Sequence, residues 1–360
     1  MRGLRALGGP DRRRDEAVAR APRDAGVADA PRDAGAAATA RSPRDAAVLR
    51  AVRDGAIFAG LLFTAYLFLI IAPSTQTVGF DALSYWIYSI DDPYRITHGT
   101  MGSFVYSPVA ARLFAADSLL PFWQFLWLWT GLLLGTALWL GGQKRWLWVL
   151  AFPPVALELY HGNIHLLIGA AIALGFRYPA AWSFVLLTKV TPGVGLLWFA
   201  VRREWRRLAI ALGVTAALVA VSLVVDGTLW QQWIDKELLV SLRQPPNQPQ
   251  IDIPLLVRLP IAAAVVVWGA LTNRKWTVPL SAAIAMPVLW IAAFSVLAAV
   301  FAVDRPELAE RPIEKKATVD APTGAGLERA GAVLAPADLS APAASEPMAS
   351  GAPEVAGGKA

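Results

Sequence analysis

From Gly55 to Val303 the chain alternates long apolar segments with short polar ones, and this alternation limits the possible folds more than any other feature. The apolar segments are built from Leu, Ala, Val and Trp. Charge collects in Met1–Asp54, in Asp304–Ala360 and in a few loops. Segments so long and so poor in charge suit a bilayer, where a helix satisfies its own backbone. Composition agrees: 56% of residues are hydrophobic and 17% charged, against about 45–50% and about 25% in soluble domains. The fold class expected is an all-α polytopic membrane protein.

Several function classes fall away at once. With no cysteine in the chain, no disulfide framework, thiolate metal site or cysteine nucleophile is available. Three histidines, His98, His161 and His165, leave little for a transition-metal centre, and no metal site is expected. The net charge of +6 does not point to nucleic acid, because the arginines flank the apolar spans, as membrane orientation by cytoplasmic Lys and Arg requires. Fifteen tryptophans suit helix ends at the bilayer interface.

Residues 1–54 repeat APRDAG at Ala21 and Ala30, followed by SPRDAA at Ser42, without apolar periodicity. They read as a disordered, basic cytoplasmic tail; residues 304–360, rich in Ala and Pro, read as a second disordered tail. Residues 55–303 form the membrane domain. Gly55–Ala72 runs outward from the cytoplasmic amino terminus, so the loop from Pro73 faces outside. Phe104–Leu120 is a short interfacial helix that starts at Ser107-Pro108. Pro121–Leu140 returns to the basic GGQKR, Trp146–Leu157 runs outward, and Ile164–Phe176 comes back. Ala180–Ala200 carries Pro192 and Gly193, so a broken, re-entrant pair is expected there. Leu208–Val225 leads to a second external loop, Asp226–Arg258, and Leu259–Leu271 crosses back. Trp276–Val303 holds Pro287 and reads as one helix or two, which leaves the side of the carboxyl tail open. The total is about eight to ten transmembrane or re-entrant helices.

The polar residues that could act are few. Asp81 opens an amphipathic run, and Tyr85 lies one helical turn on, on the same face. Asp81 is a base facing a hydroxyl, a helix cap, or both at once. Asp91 and Asp92 precede a proline and read as a turn, with Arg95 and His98 able to pair with them or touch a phosphate. Tyr106 stands in a Tyr-Ser-Pro step. His161 and His165 are four apart without the Glu of HExxH between them, so with Asn163 they suit a sugar or phosphate better than a metal. Lys189, in an apolar segment beside Thr191 and Pro192, fits an anion-binding point charge, or else it reaches to an interface. Asn247, Gln248 and Arg258 either touch a ligand or anchor the second external loop.

The order of these motifs resembles glycosyltransferase family 87: an outward Asp after the first span, YSPVAA, HGNIHLL, LLTKVTP followed by RREWRR, and Asn-Gln with a later Arg-Leu. The resemblance implies a GT-C-like helical bundle related to polyprenol-phosphate-mannose-dependent α-mannosyltransferases. It implies Asp81 as catalytic base, and it places the family's Lys-x-Thr-Pro step on Lys189, Thr191 and Pro192. Where relatives read Gly-Gln-x-Asn, this chain has Gly162, Asn163, Ile164 and His165. The reaction so implied is inverting transfer of a hexose, mannose by the resemblance, from a polyprenyl-phosphate sugar donor. The acceptor is a lipid or glycan hydroxyl at the outer face of the cell membrane, and no further cofactor is called for. The rival reading is a transporter or lipid flippase.

Overall fold

The computed structural model describes residues 43–87, 91–240, 251 and 253–308. Helix makes up 77% of the structure, and no strand occurs among the described residues, so the fold is all-α. Among the described residues, three helical stretches are long and apolar enough to cross a membrane: Arg44–Thr75, Phe122–Leu150 and Trp205–Leu238. A fourth candidate is a pair, Pro153–His161 and His165–Gly175, bent by 115°. Four shorter apolar helices accompany them: Pro179–Thr188, Thr191–Val201, Leu255–Leu271 and Ile291–Phe301.

Helix α1, Pro43–Tyr66, begins well before Gly55. The expected tail boundary is therefore corrected: residues 43–54 are helical. Pro43 occupies the first helical position, where its missing N–H costs nothing, and Asp45 sits in the positive first turn. A π turn, Leu67–Ile71, carries the helix on to Thr75. Helix α2, Ala82–Trp86, and α3, Pro108–Phe114, are short pieces of the loop that follows. Ser107 caps α3 by accepting from Ala110 N–H, as the Ser-Pro start implies.

Helix α4, Phe122–Leu150, contains Gly142 in a non-helical conformation, φ +58°. A Cβ on Gly141 would come within 2.6 Å of the Trp146 Cα, so the chain folds back here, as the GGQKR punctuation requires. Helix α5, Pro153–His161, and α6, His165–Gly175, both pack on the 3-10 segment Ile291–Phe301. Helix α7, Trp182–Thr188, stops at Lys189; a 3-10 turn, Thr191–Leu196, leads into α8, Leu197–Val201. The expected break is present, three residues before Pro192.

Helix α9, Trp205–Trp233, kinks at Asp226 but does not end there, and a π turn continues it to Leu238. The expected external loop is shorter on that account. Arg112 of α3 grips Asp226 through two parallel bonds, which favours a bend in place of a stop. Helix α10, Leu255–Leu271, includes Arg258 in its first turns. Pro287 divides the last apolar stretch into α11, Thr277–Ile284, and Ile291–Phe301.

The two ends of the bundle differ in charge. At one end, Arg305 donates to the carbonyls of Trp139 and Leu140, Arg177 donates to the Glu307 carbonyl, and Arg145 lies over the Phe301 ring. Residues 305–308 therefore lie at the same end as the basic loops at Arg145 and Arg177. The other end gathers the Asp81 loop, the α5–α6 bend and the α7 break.

Candidate active site

Two backbone bonds set the Asp81 loop against α5. Gly79 N–H donates to Tyr160 C=O, and Asp81 N–H donates to His161 C=O, each at 2.8 Å. The α5–α6 bend depends on Gly162 in the left-handed region, φ +73°. A Cβ there would also meet the Ala82 Cβ at 2.7 Å, so glycine is required on two counts. Trp129 Nε1–H donates to the Gly162 carbonyl at 2.7 Å and ties the bend to α4.

Asp81 occupies the cap position of α2, yet its side chain makes no capping hydrogen bond. The cap alternative is thereby removed. The carboxylate turns inward; its Oδ2 is enclosed and has no hydrogen-bond partner. Burial raises the Asp81 carboxyl above the ordinary carboxylate value; hydrogen bonding from Asn163 and electrostatic interaction with His161 and Lys189 oppose this, and Glu158 adds to it. Asn163 Oδ1 accepts from Ile164 N–H at 2.8 Å, so its amide protons are the part that can face Asp81.

Behind Asp81 runs a chain of three groups, Glu158 and His165 buried and Lys189 partly so. Glu158 is wholly buried in α5, and its Oε1 accepts the backbone N–H groups of His165 and Leu166, the latter at 3.2 Å. A carboxylate there meets the positive end of α6. Its Oε2 accepts from His165 Nδ1 at 2.8 Å. A carboxylate partner makes Nδ1 the protonated nitrogen, so Nε2 carries the lone pair. Lys189 Nζ lies 2.6 Å from that Nε2 and donates to it. The ammonium group keeps two further N–H bonds for another partner.

The helix break holds Lys189 in place. Its backbone is extended, φ −133° and ψ 104°, immediately after α7. Ser107 Oγ donates to the Leu187 carbonyl at 2.6 Å, so the start of α3 clamps the end of α7. Thr191 Oγ1 donates to the Ala285 carbonyl at 2.5 Å and secures the other side of the break to α11. An aromatic wall closes the site: Tyr85 OH and Tyr106 OH are 3.0 Å apart, and Tyr85 stacks on Phe114 with centroids 5.0 Å apart. Burial pushes both phenols up, so they remain neutral. Asp81 and Glu158 act on both, which puts the pair beside the carboxylates.

The sequence profile of glycosyltransferase family 87 matches residues 104–311. The chain belongs to glycosyltransferase family 87. It is a membrane glycosyltransferase, and the carrier reading is set aside. No curated protein and no solved structure matches. The matched region includes Tyr106, Asn163, His165 and Lys189 and begins after Asp81, which reaches the site from outside it.

The remaining candidates of this transferase fall into place unevenly. His161 donates from Nδ1 to the Leu157 carbonyl at 2.9 Å, packs 4.8 Å from the Trp290 ring and acts electrostatically on Asp81. Asp91 is exposed in the expected turn, and Asp92 lies 4.0 Å from Lys236. Neither is paired with Arg95 or His98. Arg95 donates to the Ile87 carbonyl at 2.9 Å, and His98 pairs with Glu237 at 2.5 Å. Arg258 is 5% exposed and gives its protons to the carbonyls of Ile253, Ile284, Met286 and Pro287. Its guanidinium is engaged in holding the end of α11, as the anchoring alternative has it. Asn247 and Gln248 lie outside the described residues. Glu158 is the residue the sequence analysis missed. Its signal was present: one carboxylate in the apolar run PPVALELY, where an ionisable group marks a site by default.

Proposed function

We propose that this transferase moves a hexose, mannose by family resemblance, from a polyprenyl-phosphate sugar to a hydroxyl of a lipid or glycan acceptor, with inversion at the anomeric carbon. Asp81 takes the acceptor's hydroxyl proton as that oxygen bonds to the anomeric carbon. The bond from the anomeric carbon to the phosphate oxygen breaks, and its electron pair leaves with the lipid phosphate. Lys189 offsets the charge that develops on that phosphate. Asn163 and His161 border the sugar, and the polyprenyl tail lies between helices. The site faces the outside of the cell membrane, with the amino terminus and the basic pole in the cytoplasm, which follows from the distribution of Lys and Arg.

One observation carries this reading: Asp81 presents an enclosed oxygen without a hydrogen-bond partner while lying in the field of Lys189. Asp81→Asn tests it. Membrane-inserted, folded variant is expected to form no product from polyprenyl-phosphate mannose and a lipid acceptor. Full product formation by that variant overturns the base assignment.

A further inference from the structure

The connection between α11 and the 3-10 segment Ile291–Phe301 is irregular, because Pro287 cannot continue a helix. Irregular backbone leaves carbonyls that need partners. Three other segments supply them. Arg258 of α10 donates to the carbonyls of Ile284 and Met286, each at 2.7 Å, and to that of Pro287 at 3.2 Å. Thr191 Oγ1 donates to the Ala285 carbonyl at 2.5 Å, and Ile251 N–H donates to the Leu289 carbonyl at 2.9 Å. A segment pinned from so many sides delivers the next side chain, Trp290, in a defined place.

That place is beside the transfer site. Val288 and Ile291 are exposed, whereas Trp290 is partly buried and packs against the core. Its ring lies 4.8 Å from the His161 imidazole, centroid to centroid, at an interplanar angle of 54°. His161 donates from Nδ1 to the Leu157 carbonyl, so in the neutral ring Nε2 carries the lone pair and can accept from a hydroxyl. The His161 carbonyl in turn holds Asp81 N–H. On the other side, Thr191 follows Lys189 by two residues and is bonded to the connection that carries Trp290. Asp81, His161, Trp290 and Lys189 are thus linked one to the next by short contacts. A donor with its phosphate at Lys189 and its anomeric carbon at Asp81 has its sugar ring between the two, where His161 and Trp290 stand.

We infer that Trp290 is the stacking platform for the transferred hexose, with His161 Nε2 accepting from one of its hydroxyls. This rests on the roles proposed above for Asp81 and Lys189. The face of an indole is electron-rich, and a pyranose ring turns a patch of weakly positive C–H groups toward such a face. Its hydroxyls then lie around the rim, within reach of polar groups such as His161. An apolar wall with a few placed polar groups is how small-ligand sites fix orientation, and here it sets the anomeric carbon against the acceptor oxygen.

The test uses the full chain purified in a neutral detergent, without acceptor. One probe is methyl α-mannoside, followed by saturation-transfer NMR from the aromatic protons of the protein. The others are polyprenyl-phosphate mannose and bare polyprenyl phosphate, followed by titration. Wild type is expected to transfer saturation to the C–H protons of the glycoside, Trp290→Ala to lose that transfer, and Trp290→Phe to keep part of it. Trp290→Ala is expected to bind polyprenyl-phosphate mannose about tenfold more weakly and bare polyprenyl phosphate as wild type does, a split that general loosening of the fold would not produce. Undiminished transfer in Trp290→Ala, no transfer in wild type, or equal weakening toward both lipids overturns the proposal. Failure of the donor reading looks different: neither lipid binds wild type, while transfer to the glycoside persists and is lost in Trp290→Ala. If Trp290→Ala does not fold, Trp290→Leu keeps the bulk without the ring, and undiminished transfer in it overturns the proposal.

Discussion

Lys189 donates an ammonium proton to His165 Nε2 at 2.6 Å, and this contact joins a helix that breaks to a helix that bends. Neither partner is fixed by its own segment. The break frees Lys189 from α7, the bend delivers His165 at the start of α6, and Glu158 in α5 fixes the proton on the imidazole. An ammonium group is thereby held within electrostatic reach of Asp81.

Because Glu158 fixes the His165 tautomer, Glu158→Gln has a defined consequence. A glutamine oxygen can accept from the α6 backbone or from His165, but the negative charge that fixes Nδ1–H is lost. His165 is then free to place its proton on Nε2, facing Lys189. Transfer is expected to slow ten- to hundredfold, about 1.4–2.7 kcal/mol, with the donor KM rising. Steady-state kinetics on the folded variant check this. A change confined to the folded fraction, with KM unchanged, would leave Glu158 a packing residue.

Asp81 also predicts a pH dependence. A raised carboxyl stays protonated where an ordinary Asp, near pH 4, has already ionised, and a protonated base cannot accept. The acidic limb of the rate profile is therefore expected above the usual carboxylate range. Lys189 pulls the Asp81 value down, so Lys189→Gln is expected to move that limb to higher pH as well as lowering the rate. For stability the sign reverses: a carboxyl raised in the folded state favours folding at low pH and loses that contribution as pH rises through its folded value. Asp81→Asn is accordingly expected to melt no lower than wild type at neutral pH. A pH–rate profile with its limb at an ordinary Asp value would remove Asp81 as the titrating base.

Arg258 is assigned to structure. Arg258→Ala leaves four carbonyls without their donor in a buried position, and the loss is expected to be about 3 kcal/mol or more. It reads out as a lower melting temperature and poor recovery from membranes, with Arg258→Lys recovering part of the loss. An Arg258→Ala protein of wild-type stability whose donor KM alone rises would return Arg258 to phosphate binding.

Much of the fold was legible because the bilayer imposes a simple rule. Gly142 and Asp226 mark turning points where GGQKR and the end of Leu208–Val225 place them, and the proline at 192 announces a break. The start of α1 at Pro43 was hidden, because Ala, Arg and Asp serve a helix and a disordered tail equally well. The continuation of α9 past Asp226 was hidden too, since it depends on Arg112 from a distant segment.

The site divides along the same line. Asp81, Asn163, His165 and Lys189 stood out in the sequence because polar groups are expensive among apolar helices and are retained where something uses them. Which of them meet was decided by tertiary structure alone. The missing cap bond at Asp81 turned on a side-chain direction, and Arg258 turned on four carbonyls from other segments. Sequence determines the cost of burying a charge; only the folded chain supplies the partners that meet that cost.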